Sequence, residues 1–156
     1  MLRYDNKEIT FSELPDEISL AYTITNCNNK CKGCHSPWLR QNVGTLIADT
    51  IEADLNKYTK RGITAICFLG ESLSLPNAEE TWRELVNFIR SKYPKLKIAM
   101  YSGRDKLPPY ADIFDYFKLG SYKESLGGLT DRRTNQRLYK VNYGRFEDIT
   151  YKFWRD

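Results

Sequence analysis

A seven-residue apolar run, Ile63 to Leu69, lies between two stretches of helical spacing, and no other feature limits the fold of this chain as strongly. Upstream, Ile47, Ile51, Leu55 and Tyr58 recur on one helical face, and Gly62 stands where that helix has to stop. Downstream, Asn77 with Glu80 predicts a capping box, opening a helix whose apolar face is Trp82, Leu85, Val86 and Ile89, with Pro94 just beyond its end. A short apolar, partly β-branched run held between helices reads as a parallel strand buried on both faces. Ile18 to Ile24 alternates with period two and predicts an earlier strand, which is the first in this reading. Leu96 to Tyr101 predicts a third, Phe114 to Leu119 a fourth after the Pro108-Pro109 break, and Arg137 to Val141 a last one. Strands alternating with helices imply βαβ units, hence an α/β fold with a mostly parallel sheet. At 156 residues the chain is too short for a closed eight-fold barrel, which takes about 250. A truncated, open partial (β/α) barrel is therefore expected, as one domain over residues 1–156 that buries roughly 70% of its unfolded surface.

Right-handed crossovers gather the loops that leave parallel strands at one end of the sheet. Four segments fall there: the loop after Ile24, Gly70-Glu71, Ser102-Gly103 and Gly120. The loop after Ile24 is the most distinctive, because three of the four cysteines, Cys27, Cys31 and Cys34, fall within eight residues of it. No apolar run reaches the length of a membrane span, and the first residues show no secretory pattern, so a cytoplasmic, reducing location is expected. There, clustered thiols point to metal or redox chemistry. The net charge of +4 is spread among 24 basic and 20 acidic residues. The densest basic stretch, Arg132, Arg133, Arg137 and Lys140, reads as a solvated or protein-docking face, with no motif for nucleic acid.

The segment Cys27-Asn28-Asn29-Lys30-Cys31-Lys32-Gly33-Cys34-His35 admits several chemistries. A C-x3-C-x2-C loop supplies three thiolates to a 4Fe–4S cubane and leaves one iron without a protein ligand, the open position that marks a reactive site. An amino acid's amine and carboxylate could chelate that iron. Cys31 to His35 also matches the C-x-x-C-H of c-type haem, but this leaves Cys27 unused and normally requires export. Zinc would need His35 or Cys67 as a fourth ligand; His35 adjoins Cys34, and Cys67 sits inside an apolar strand where a buried free thiol is usual. A redox dithiol at Cys31 and Cys34 again ignores Cys27. A chance triplet remains the plain alternative.

At these residues the sequence resembles the radical S-adenosylmethionine superfamily, whose signature is C-x3-C-x2-C after the first strand. Within it, the chain resembles the activating enzymes of anaerobic (class III) ribonucleoside-triphosphate reductases. Four stretches carry the likeness: Cys27 to Trp38, Phe68 to Glu71, Tyr101 to Arg104, and Gly120 to Val141 with Gly127-Gly128-Leu129 and Thr134-Asn135-Gln136-Arg137. The resemblance implies a radical-SAM-type partial barrel, with Cys27, Cys31 and Cys34 as cluster ligands. It implies contacts to S-adenosyl-L-methionine from Gly33, Cys34 and His35, from Gly70 and Glu71, and from Ser102 and Gly103. Gly70-Glu71 stands in the place of a Gly-Gly-Glu motif that receives the methionine ammonium, with Leu69 replacing the first glycine. Members often carry an aromatic residue where this chain has Gly33. Asn135, Gln136 and Arg137 would order the cofactor pocket or dock the partner.

The implied reaction is reductive cleavage of S-adenosylmethionine by an electron from an external one-electron donor. The resulting 5′-deoxyadenosyl radical would abstract a Cα hydrogen from a glycine of the reductase. No catalytic residue beyond the cluster ligands is expected. Other readings are an activator of another glycyl-radical enzyme, a small-molecule radical S-adenosylmethionine enzyme, a small iron–sulfur electron-transfer protein and a structural zinc protein.

Overall fold

The computed structural model describes residues 2–25, 43–72 and 77–154. Eight strands form one sheet in the order β3-β1-β2-β4-β5-β6-β7-β8. These are β1 (Arg3–Thr10), β2 (Ser19–Ile24), β3 (Thr45–Leu46), β4 (Ala65–Leu69), β5 (Lys97–Tyr101), β6 (Tyr116–Leu119), β7 (Arg137–Asn142) and β8 (Arg145–Asp148). Helix α1 (Ile47–Thr59) precedes β4, and α2 (Ala78–Lys92) joins β4 to β5. Short 3₁₀ turns occupy Ala111–Ile113 and Thr150–Phe153. Among the described residues no helix is long and apolar enough to cross a membrane.

The expected strands form the middle of the sheet. β2, β4, β5 and β6 run parallel, with Ala21, Cys67, Ala99 and Tyr116 in one register row. The flanks correct the expectation of a mostly parallel sheet. β1 pairs antiparallel with both β2 and β3, β7 with β6, and β8 with β7, so the sheet is mixed. The connections explain this: Tyr143-Gly144, both with positive φ, form a two-residue turn between β7 and β8, and a turn that short joins only antiparallel neighbours. The strand beginning near Ile18 is thus the second in the chain.

Alternation along the central strands sorts the core. Leu20, Tyr22, Ile66, Phe68, Ile98, Met100 and Phe117 share one cluster with Ile47, Ile51 and Leu55 of α1 and Trp82, Val86 and Ile89 of α2. Ala21, Ala65, Cys67 and Ala99 face the other way and pack with Leu14, Leu138 and Ile149. Both helices therefore cover one face, as in a singly wound (β/α) unit, whereas a doubly wound sheet carries helices on both. The sheet is open, ending at β3 and β8. Gly62 adopts φ +98° past the end of α1, as its place in the sequence predicts. The capping box at α2 does not form: Asn77 is left-handed (φ 57°) and its side chain caps no amide. A capping side chain reaches the first-turn amides from an extended backbone, which a left-handed Asn77 does not supply.

Candidate functional site

Cys27, Cys31, Gly33, Cys34 and His35 lie outside the described residues. The residues that flank them are held together: Thr25 Oγ1 donates to Val43 O at 2.7 Å, and Thr25 N donates to Arg3 O at 3.0 Å. Thr25 and Val43 are thus held together at the exit of β2. Next to that exit is the exit of β4. Gly70 has φ +120°, and a Cβ there would stand 3.2 Å from Ile24 O, so a glycine lets the two strand ends lie this close.

The next residue, Glu71, is the centre of the rim. Its side chain is 1% exposed. Ser102 Oγ donates to Oε1 at 2.5 Å, Arg104 Nε bonds Oε1 and Oε2 at 3.0 and 2.9 Å, and the Tyr110 hydroxyl donates to Oε2. Glu71 O accepts the Trp82 indole N–H at 3.0 Å, which ties the rim to the core beneath α2. Burial first, then the Glu71 carboxylate, pushes the Tyr110 phenol up, so it stays a donor. The structure thus brings Gly70, Glu71 and Ser102 together, with Gly103 half-buried between Ser102 and Arg104. Glu71 is not a lone carboxylate: it is already paired with a guanidinium. Arg104 is 38% exposed, and its guanidinium lies against both Glu71 and the Tyr110 hydroxyl. A buried carboxylate joined to a partly exposed guanidinium offers both signs of charge at one spot. A zwitterionic α-amino acid head carries the same two signs.

The rim continues through Lys118. This buried lysine donates Nζ to Ser102 O at 3.0 Å and to Gly120 O at 2.7 Å, clamping the exits of β5 and β6. Gly120 (φ +111°) admits the backbone of Gln136 so closely that a Cβ would meet its Cα at 3.1 Å. Asn135 Nδ2 donates to Ser121 O at 3.0 Å, while its buried Oδ1 has no donor among the described residues. The Thr134–Gln136 segment therefore lies on the far end of the rim.

Sequence reasoning reached Glu71, Ser102 and Gly120 through the strand-exit rule and missed Arg104, Tyr110 and Lys118. Arg104 had a signal, standing two residues after Ser102 on the same exit. Lys118 had one as well, a charge inside the apolar run Phe114 to Leu119. Tyr110 had none, being 39 residues from its partner. A cavity of about 500 Å³ lined by Thr59, Ile63, Thr64 and Lys92 opens at the opposite end of the sheet, away from these groups.

Cys67 is buried in the middle of β4, and loss of solvation holds its thiol well above the usual range. It is a buried free thiol inside the strand, as its place in the apolar run predicts. Among the described residues no three His, Cys, Asp or Glu side chains are grouped to hold a metal. Three thiolates in C-x3-C-x2-C spacing, with the fourth cysteine withheld, fit a cluster that keeps one iron open.

No curated protein and no solved structure matches the chain. Residues 18–107, more than half of the sequence and including Cys27, Cys31 and Cys34, match the family of 4Fe-4S single cluster domains. The chain therefore belongs to the 4Fe-4S single cluster domain family.

Proposed function

We propose that this chain is a radical S-adenosylmethionine enzyme that installs a glycyl radical on an anaerobic ribonucleoside-triphosphate reductase, with Cys27, Cys31 and Cys34 holding the cluster. The observation that carries the reading is the buried Glu71–Arg104 pair on the exit beside the strand leading into the cysteine segment. When bound, the cluster and S-adenosylmethionine supply a one-electron cleavage of a carbon–sulfur bond that yields methionine and a 5′-deoxyadenosyl radical, which takes a Cα hydrogen from a peptide glycine.

The chain's own residues bind and orient. Glu71 takes the methionine ammonium while the exposed part of the Arg104 guanidinium takes the carboxylate. The head group then enters with no net charge buried, which avoids the large cost of an unpaired buried ion. Ser102 and Tyr110 hold Glu71 in one orientation, and Lys118 holds Ser102. Gly70 keeps the pair close to the β2 exit, and Gly33 and His35 would flank the cofactor from the cysteine segment. The single-sided helix cover and open sheet also support a radical-SAM-type partial barrel. An open rim suits a protein substrate that completes the enclosure, and an external one-electron donor completes the reaction.

The test is anaerobic iron–sulfur reconstitution, reduction with S-adenosylmethionine, and assay of 5′-deoxyadenosine. Adding the reductase should then give a glycine-centred doublet by electron paramagnetic resonance. Single alanine substitutions at Cys27, Cys31 or Cys34 should abolish cleavage, whereas Cys67→Ala should keep both iron content and activity. Full cleavage in any of the first three removes the ligand assignment. An iron-loaded chain that ignores S-adenosylmethionine would be an electron carrier, and a colourless zinc-loaded one a structural module. Cleavage without a glycyl doublet points to another substrate.

A further inference from the structure

A file of aromatic rings runs beneath the helices, and its members differ in chemistry. In order they are Tyr4, Tyr22, Phe68, Trp82, Phe114 and Phe117, with neighbouring centroids 4.9, 6.0, 5.0, 6.1 and 5.8 Å apart. Rings at such distances fill a core and also bring their π-systems into contact. Trp82 is the member tied to the rim, since its indole N–H donates to Glu71 O at 3.0 Å. To one side the file continues through Phe114 and Phe117, which resist oxidation. To the other, Phe68 bridges Trp82 to Tyr22, a ring that gives up an electron far more readily.

Tyr22 also has a place to send its proton. Its buried hydroxyl donates to Asp54 Oδ2 at 2.6 Å, and Asp54, 7% exposed, takes Lys7 Nζ on Oδ1 at 2.7 Å. Packing alone does not call for this group: a phenylalanine would fill the same place without burying a hydroxyl that needs a partner. Burial first, then Asp54, pushes the Tyr22 phenol up, so at rest the proton stays on the ring oxygen. A phenol that has lost an electron is strongly acidic, and its proton then moves to the carboxylate it already bonds. Tyr22 becomes a neutral radical and Asp54 a neutral acid, so neither buried group is left with an unpaired charge. The positive charge appears at Lys7, whose side chain is 30% exposed and reaches water. Tyr4 is a poorer end point. Its hydroxyl meets Thr50 Oγ1 at 2.8 Å, a weak base, and Lys7 Nζ lies 5.6 Å over its ring, where a cation opposes loss of an electron.

We propose that Trp82, Phe68, Tyr22 and Asp54 form a protective relay that draws oxidising equivalents from the rim and holds them on Tyr22. The oxidant is of the hydroxyl-radical class, formed when peroxide meets reduced iron. It takes one electron from Trp82 through the Glu71 hydrogen bond and becomes hydroxide. Tyr22 returns one electron to Trp82 across Phe68, and the Tyr22 proton passes to Asp54. One electron from an external donor, with the proton handed back by Asp54, restores the phenol. The relay rests on iron held at the rim by the cysteines and is independent of the radical product and its substrate.

The test mixes the iron-loaded chain with stoichiometric hydrogen peroxide, freezes it rapidly and records electron paramagnetic resonance. Wild type should give a tyrosyl signal that narrows when its tyrosines are ring-deuterated. Tyr22→Phe should lose most of that signal and release iron faster under repeated peroxide. Phe68→Leu keeps the Tyr22–Asp54 bond and should lower the yield, while Asp54→Asn should lower it and prolong a tryptophan signal. Tyr151→Phe, at an exposed tyrosine, should match wild type. An undiminished signal in Tyr22→Phe overturns the relay, and so does a yield that Phe68→Leu leaves untouched. If melting curves show that Tyr22→Phe does not fold, Phe68→Leu and Asp54→Asn decide in its place. A wild-type chain that cleaves S-adenosylmethionine but forms no tyrosyl radical overturns the relay and leaves the proposed function standing. A chain whose cysteines hold no iron overturns both.

Discussion

Replacing Glu71 by glutamine keeps the shape of the side chain and removes its charge, so it isolates what the carboxylate contributes at the rim. The carboxylate accepts from Ser102, from Tyr110 and, through both oxygens, from Arg104. An amide has one acceptor oxygen and an NH₂ that only donates. The two hydroxyls can rotate to accept from that NH₂, but Arg104 Nε–H cannot. One charge-assisted contact is lost outright and one hydroxyl contact is reoriented. Removing one partner from a fully buried ion pair costs about 3–5 kcal/mol. Arg104 is 38% exposed and can be rehydrated, which brings the expected loss to about 2 kcal/mol. In a chain of this length that lowers Tm by roughly 4–8 °C. Calorimetric melting of the iron-free chain measures it, and a double-mutant cycle with Arg104→Gln isolates the pair. The expected coupling is above about 1 kcal/mol. A Tm within 1 °C of wild type, or strictly additive single effects, would show that the pair is not formed as described.

Two further outcomes follow from neighbouring geometry. Gly70→Ala forces a side chain into a left-handed position and 3.2 Å from Ile24 O; a loss of about 1–3 kcal/mol is expected, with weaker iron retention, and an unchanged melting curve would contradict the close strand approach. Burial first, then Glu8, raises the Glu13 carboxyl, so the folded state holds that proton more tightly than the unfolded one, and stability falls as pH rises from about 4.5 through the folded value. Glu13→Gln should therefore be more stable than wild type at pH 7 and flatter across that window in denaturant titrations, and a variant less stable at pH 7 would reverse the assignment.

The parallel middle of the fold was legible because its strands are buried on both faces and its helices carry one apolar stripe. β1 and β8 were not. Asn6, Lys7 and Glu8 sit in the middle of β1, and β8 reads Arg-Phe-Glu-Asp, with only Phe146 partly covered. Such strands exist because a neighbour pairs with them, and pairing leaves no period in a polar segment. The rim shows the same division. Glu71 and Ser102 follow from where strands end, whereas Tyr110 reaches Glu71 only through the path of the chain after Pro108-Pro109. A missing cap at Asn77 also separates motif from geometry, since the residue type fits and its backbone angle does not.

The Thr25–Val43 bond has a consequence for how the protein ages in air. Thr25 is anchored to Arg3, and Ile47 N bonds Leu2 O on the far side of the excursion, so the chain is sewn into the sheet before and after it. If the cluster sits on the proposed cysteine ligands, loss of iron should leave the scaffold standing. Oxygen damage would then be an erasable event, repaired by refilling a ready frame with iron and sulfide while the polypeptide stays folded.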